Sequence, residues 1–264
     1  MCTQCGCDGN HKPPPHGLSP HVQASDPHGL ATVGVQLAGI RQERLIRIEQ
    51  DVLGSNDAQA HLNRACFRQN GILALNLLSS PGSGKTSLLE RTLSALQPEL
   101  TFAVVEGDQQ TSRDAERIRA TGVNALQINT GKGCHLDAQQ ISRAITELGL
   151  ARQSVLFIEN VGNLVCPALF DLGEEGKVVV LSVTEGEDKP LKYPDMFRRA
   201  ALVILNKTDL LPHLDFDLAA CVDHIRKVNP HADILPLSVR TGEGMEAWYD
   251  WLRNRHSGVA RLAD

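Results

Sequence analysis

The sequence predicts an α/β fold: a mostly parallel sheet covered by helices on both faces, with a flexible cysteine-bearing tail in front. Three observations predict it. After Gly71 seven short, nearly continuous apolar runs alternate with amphipathic stretches, the pattern of strands buried on both faces. The first of those runs ends in a glycine-rich turn that leads into a helix-like segment. The first 33 or so residues have almost no periodic apolar positions and instead carry Cys2, Cys5, Cys7, four histidines and Pro13-Pro14-Pro15.

The chain divides accordingly into a tail (1–33), a helical N-terminal segment (34–70) and a main domain (71–264) on which those helices pack. In the helical segment Leu37, Ile40, Leu45, Ile48 and Leu53 approximate helical spacing, and Asn56 and Asp57 could cap a second helix ending at Gln69-Asn70-Gly71. The strand candidates are Ile72–Leu78, Phe102–Val105, Ala125–Ile128, Val155–Ile158, Val178–Val183, Ala201–Leu205 and Ile234–Leu237. Helix candidates between them include Ser87–Leu96, Ala138–Leu148 and Leu218–Val228.

Composition narrows the class. With 26 Lys and Arg against 31 Asp and Glu, the 264 residues carry a formal charge of −5, which argues against a nucleic-acid-binding face. No apolar run approaches the roughly 20 residues that span a bilayer, so a membrane role is not expected. The N-terminus has cysteines and histidines where a signal peptide has its apolar stretch, which points to the cytoplasm. Seven cysteines in that compartment are poor disulfide candidates, and three within the first seven residues point to metal.

The turn after the first strand reads Ser79-Ser80-Pro81-Gly82-Ser83-Gly84-Lys85-Thr86. Except for Ser79, where glycine is usual, it fits a phosphate loop, and the fold becomes that of a P-loop NTPase. The backbone of Ser80 to Ser87 would wrap the phosphates with its available N–H groups facing them, Lys85 would reach the β- and γ-phosphates, and the Thr86 hydroxyl would bind Mg²⁺. About 120 residues on, Asn206-Lys207-Thr208-Asp209 closes another strand. A carboxylate at Asp209 would accept both guanine N–H donors, which adenine lacks; Lys207 would lie along the base and Asn206 would brace the loop. Ser238 stands where a backbone amide could meet the guanine oxygen.

Two acidic strand ends lie between these motifs, Glu106-Gly107-Asp108 and Glu159-Asn160-Val161-Gly162. Asp108 and Glu159 are the expected acids on the Mg²⁺ side, and Gly162 would let a backbone N–H approach the γ-phosphate. Arg113, Arg117 and Arg119 read as a solvated helix face, with Arg113 the one candidate for phosphate. Cys66, Cys221, Trp248 and Trp251 read as packing.

Cys134-His135 and Cys166 are a donor set suited to Ni²⁺ or Zn²⁺, completed by water or by a second copy of the chain. Two core cysteines and a surface histidine would give the same spacing. Placement favours metal, because Cys166 follows the glycine that should move with the γ-phosphate. Cys2, Cys5 and Cys7 offer three soft donors, and the α-amine of Cys2 would be a fourth if Met1 is removed.

With these residues in view, the chain resembles the HypB family, the nickel-inserting GTPases of [NiFe]-hydrogenase maturation. The resemblance rests on Cys2-x-x-Cys5-x-Cys7, the phosphate loop, Glu106-Gly107-Asp108, Cys134-His135, Glu159 to Gly162 with Cys166, and Asn206 to Asp209. The related urease GTPases carry Cys-Pro-His where this chain has Cys134 next to His135. The resemblance implies slow hydrolysis of GTP to GDP and phosphate, GTP-dependent homodimers, a tight nickel site in the tail and a weaker nickel or zinc site in the GTPase domain. It also implies a HypA-type accessory partner and delivery to the hydrogenase large subunit. A nickel store or sensor, a urease-directed GTPase and a P-loop small-molecule kinase are the competing readings.

Overall fold

The computed structural model describes residues 42–108, 113–131, 133 and 135–263. Cys2, Cys5, Cys7 and Cys134 therefore lie outside the described residues. The order is α1 (Gln42–Asn70), β1 (Leu73–Ser79), α2 (Lys85–Leu96), β2 (Phe102–Asp108), α3 (Arg113–Ala120), β3 (Asn124–Asn129), α4 (Ala138–Leu148), β4 (Val155–Glu159) and α5 (Cys166–Leu169). Next come β5 (Gly176–Ser182), α6 (Lys189–Lys192), α7 (Pro194–Arg198), β6 (Ala200–Asn206), a 3-10 segment (Thr208–His213), α8 (Leu218–Val228), β7 (Asp233–Pro236) and α9 (Met245–Arg261).

The seven strands form one sheet in the order β3-β2-β4-β1-β5-β6-β7, and every pairing is parallel. Each apolar run read as a strand is one, and alternation explains why the runs are continuous. In β1, Leu73, Leu75 and Leu77 pack against α2 and α9, while Ala74 and Leu78 face the opposite layer of helices. β1 sits between β4 and β5, where the direction of winding reverses. The crevice beyond the strand ends at such a reversal is where an open α/β sheet takes its ligand.

α1 departs from expectation. It is one continuous helix through Asn56 and Asp57 rather than two. Asn56 is buried within it and caps a different element: its Oδ1 accepts the Ala138 N–H at the start of α4 (2.9 Å), and its Nδ2 donates to the Asp171 carbonyl (2.7 Å). Two turns later Asn63 donates to the carbonyls of Ala138 (2.8 Å) and Leu172 (3.0 Å), and Arg64 grips Asp171 with both carboxylate oxygens in reach. At Gly173 (φ 88°) a Cβ would lie 2.6 Å from the Ala60 carbonyl oxygen, so only glycine lets the chain pass under α1. α4 itself opens on a capping box between Asp137 and Gln140.

On the other face α9 buries Trp248, whose indole N–H donates to the Thr92 hydroxyl of α2 (2.8 Å) and whose ring stacks on Trp251. Cys221 is buried in α8, its thiol pushed up to about 12 by desolvation. Cys66, read as packing, is only half-buried.

Candidate functional site: a nucleotide trough with a metal-donor loop behind it

β1 delivers the phosphate loop into a cleft of about 600 Å³ bordered by the ends of β2 and β4. The departure at Ser79 has a use: its hydroxyl accepts the Lys85 ammonium at 2.7 Å. Lys85 is buried, and desolvation lowers its pKa against the attraction of Glu159 and other nearby acids. Thr86 donates to Glu159 at 2.7 Å, joining two of the three residues expected beside the metal. Burial raises the Glu159 pKa, with Lys85 and Thr86 opposing.

Gly162 lies close over the phosphate loop, since a Cβ there would come within 3.2 Å of Pro81. Gly84 has φ 101°, and a Cβ on it would lie 2.5 Å from the Asn206 amide. That close approach lets Asn206 donate to the Ser83 carbonyl (2.8 Å) and tie the base loop to the phosphate loop.

A second hollow of about 290 Å³ adjoins the first, with Gly84, Ser87 and Lys207 lining both. Asp209 borders it, and Lys207 runs back across it to donate to the Gly82 carbonyl at 2.7 Å. The Ser238 amide is committed to the Glu243 carbonyl at 2.9 Å. What Ser238 brings instead is its buried hydroxyl, which donates to Asp209 at 2.6 Å and orients that carboxylate. The amide role read from the sequence is thereby replaced by a side-chain one.

Three lining residues were given no place in the site by the sequence reading: Glu106, named only as part of its strand end, Arg117, read as solvated, and Asp114. Glu106 is buried, its carboxyl pushed up to about 8 by desolvation and then by the charges of Glu159, Asp108 and Asp114. Asp114 and Arg117 stand on α3 at the mouth. Arg117 is no free solvated side chain: it holds Glu90 and Asp114 and reaches the Ser87 hydroxyl at 3.3 Å. The signal that could have found them is the helix period of three to four, which puts Asp114 and Arg117 on one side of α3.

Among the described residues no three His, Cys, Asp or Glu side chains gather into a metal-binding group. For Mg²⁺ that is no obstacle, because it is held by one or two protein oxygens together with substrate phosphates. The buried Oε2 atoms of Glu106 and Glu159 have no hydrogen-bond partner, and with Thr86 and Asp108 on the same cleft the donors are all hard oxygens, so the residues fit the ion. Of the soft donors, Cys166 is buried at the start of α5 and His135 is half-buried. The His135 ring stacks on Phe170, which ends α5, with centroids 3.8 Å apart, so the two donor segments touch. Burial lowers the His135 pKa, favouring the neutral imidazole that binds metals.

Residues 73–236 match the model of the CobW/HypB/UreG nucleotide-binding domain family. The hydrogenase maturation factor HypB of Azotobacter vinelandii is 52% identical over 281 residues, covering 97% of this chain and 92% of that protein. HypB of Rhizobium leguminosarum bv. viciae is 63% identical over 219 residues, 83% of this chain and 73% of that one. A crystal structure of HypB from Helicobacter pylori in complex with nickel superposes with a TM-score of 0.73 at 40% identity, covering 77% of this chain and 96% of that one. With these likenesses along nearly its whole length, the chain belongs to the HypB family of hydrogenase maturation factors.

Proposed function

We propose that the protein is a GTP-hydrolysing metallochaperone that loads Ni²⁺ and releases it toward the [NiFe]-hydrogenase large subunit. One observation carries the reading: Gly162 abuts Pro81 of the phosphate loop, and four residues later Cys166 begins α5. A backbone turn that meets the third phosphate is thus continuous with a metal donor. Family membership and the nickel complex of the H. pylori relative support it.

In the reaction, Asp209, oriented by Ser238, accepts the two guanine N–H groups, while Asn206 fixes the distance between base and phosphates. Lys85 leaves Ser79 for the β- and γ-phosphates, and the loop amides surround the anion. Thr86, with Asp108 and Glu159, would hold Mg²⁺, which supplies charge neutralisation between the phosphates. No described side chain is assigned to the attacking water, and slow turnover accords with that. Binding of the third phosphate moves Gly162 and with it α5, which changes the pairing of Cys166 with Cys134 and His135, in one subunit or across a GTP-bound homodimer. The cargo there is Ni²⁺, with Zn²⁺ as a competitor. Cys2, Cys5 and Cys7 form a separate tail site, a HypA-type protein is the accessory partner, and the setting is the cytoplasm. No described helix is long and apolar enough to cross a membrane.

The test is nickel affinity of the wild type and of Cys166→Ala, each with GDP and with a non-hydrolysable GTP analogue. The variant is expected to lose the nucleotide dependence and keep the tail site. Equal affinities with both nucleotides in the wild type would instead make the protein a nickel store.

A further inference from the structure

Directly after Glu159, Asn160 borders the trough but is only 1% exposed, and its carboxamide is spent on hydrogen bonds within the protein. Its Oδ1 accepts the N–H of Val161 (3.0 Å), in the turn that leads to Gly162, and the N–H of Leu136 (3.2 Å), the residue after His135. Its Nδ2 donates to Oδ1 of Asn76 (3.2 Å), the one polar side chain in the middle of β1. Asn76, fully buried, donates in turn to Glu174 (3.2 Å), and Glu174 is paired with Lys177 at 2.7 Å. Lys177 donates to the carbonyl of Phe170 (2.8 Å), and the ring of Phe170 stacks on His135.

The contacts close a ring. It runs from Asn160 through Leu136 and His135 to Phe170, then through Lys177, Glu174 and Asn76 back to Asn160. A buried polar network with its members satisfied holds one arrangement, because displacing any member strands another in a low dielectric. The apolar side of Leu136 is equally constrained: it fills the space over Gly107, where a Cβ would lie 2.8 Å from it. His135 and Leu136 are therefore held from both sides, by Phe170 and by Asn160.

We propose that Asn160 is the positioning residue that transmits nucleotide state to the histidine side of the metal site, complementing Cys166, which moves with the turn itself. Cys166 alone moves one donor. A single carboxamide bonded to the switch turn and to the His135 loop makes two donor segments respond together. The inference rests on the nucleotide-coupled metallochaperone reading and names the residue that performs it.

The experiment uses linkage: if the third phosphate changes nickel affinity, nickel changes affinity for the GTP analogue by the same factor. Affinities of the full chain for GDP and for the analogue are measured with the tail site saturated, at low and high further Ni²⁺, for wild type, Asn160→Ala and Asn76→Ala. Wild type is expected to show a nickel-dependent change in the analogue-to-GDP ratio of about tenfold. Asn160→Ala should reduce it to less than about twofold. Asn76→Ala, away from the nucleotide, should keep its metal-free GDP affinity yet lose at least about half of the coupling in logarithmic units, because Asn160 is no longer oriented. A purely structural role for Asn160 would lower the melting temperature and leave the ratio at its wild-type value, and that result overturns the inference while leaving the metallochaperone reading intact. Should Asn160→Ala not fold, the Asn76→Ala ratio decides in the same way. A wild type with no nickel dependence overturns both readings together.

Discussion

At the scale of single residues, chemistry in this site is set by what each polar group is left to do once its neighbours are counted. Asp209 has its carboxylate fixed by Ser238, so its remaining capacity points to the base hollow. Asp209→Asn replaces an acceptor with a donor facing guanine N–H groups. It is expected to weaken GTP affinity by about a hundredfold or more and to favour xanthosine triphosphate, measured by competition with ATP as a control. Glu106 makes a different test. Its pKa is about 8 in the folded protein against 4.5 for an ordinary glutamate, so folding without nucleotide or Mg²⁺ takes up a proton. The resulting stabilisation is full below pH 4.5 and is lost as pH rises through 8. Wild type should lose about 2 kcal/mol relative to Glu106→Gln between pH 6 and 8, read from chemical denaturation in chelator. The phosphate loop and the Asn206–Asp209 loop were legible in the sequence because each is a short local pattern at a strand end, and the two line adjoining hollows. The role of Ser238 was not, since whether its amide or its hydroxyl is available depends on Glu243, which comes back to pair with it across a turn.

At the scale of elements, the strands were readable almost to the residue because the central strands are buried on both faces and, apart from their ends, Asn76 in β1 and Lys177 near the start of β5 are the polar residues that interrupt their apolar runs. α1 was not readable as one helix. Asn56 and Asp57 look like a cap in isolation, and only the packing of α4 shows that the Asn56 carboxamide serves a neighbour. That docking is specific enough to test. Asn63→Ala leaves the carbonyls of Ala138 and Leu172 without their buried donor, so a loss of about 2–3 kcal/mol is expected by denaturant titration. GDP affinity should stay within about twofold, because α1 does not line the trough.

At the scale of the molecule, β1 stands at the centre of the sheet with β4 and then β2 to one side, so the ends of these three strands border one trough. The acids of β2 and β4 and the glycine turn after β4 are brought together by that order alone, which the spacing of motifs along the chain could not convey. On the far side of the same sheet, both tryptophans of the protein lie in α9, and the indole of Trp248 holds Thr92, two turns along the helix that begins with Lys85 and Thr86. The helix that receives the phosphates is therefore joined to a buried chromophore stacked on its only fellow. Ultraviolet emission should shift when nucleotide enters, with no dye attached, and Thr92→Val should mute that shift while binding persists. The protein thus carries a native optical gauge by which the order of nucleotide and metal arrival can be timed in a stopped-flow cell.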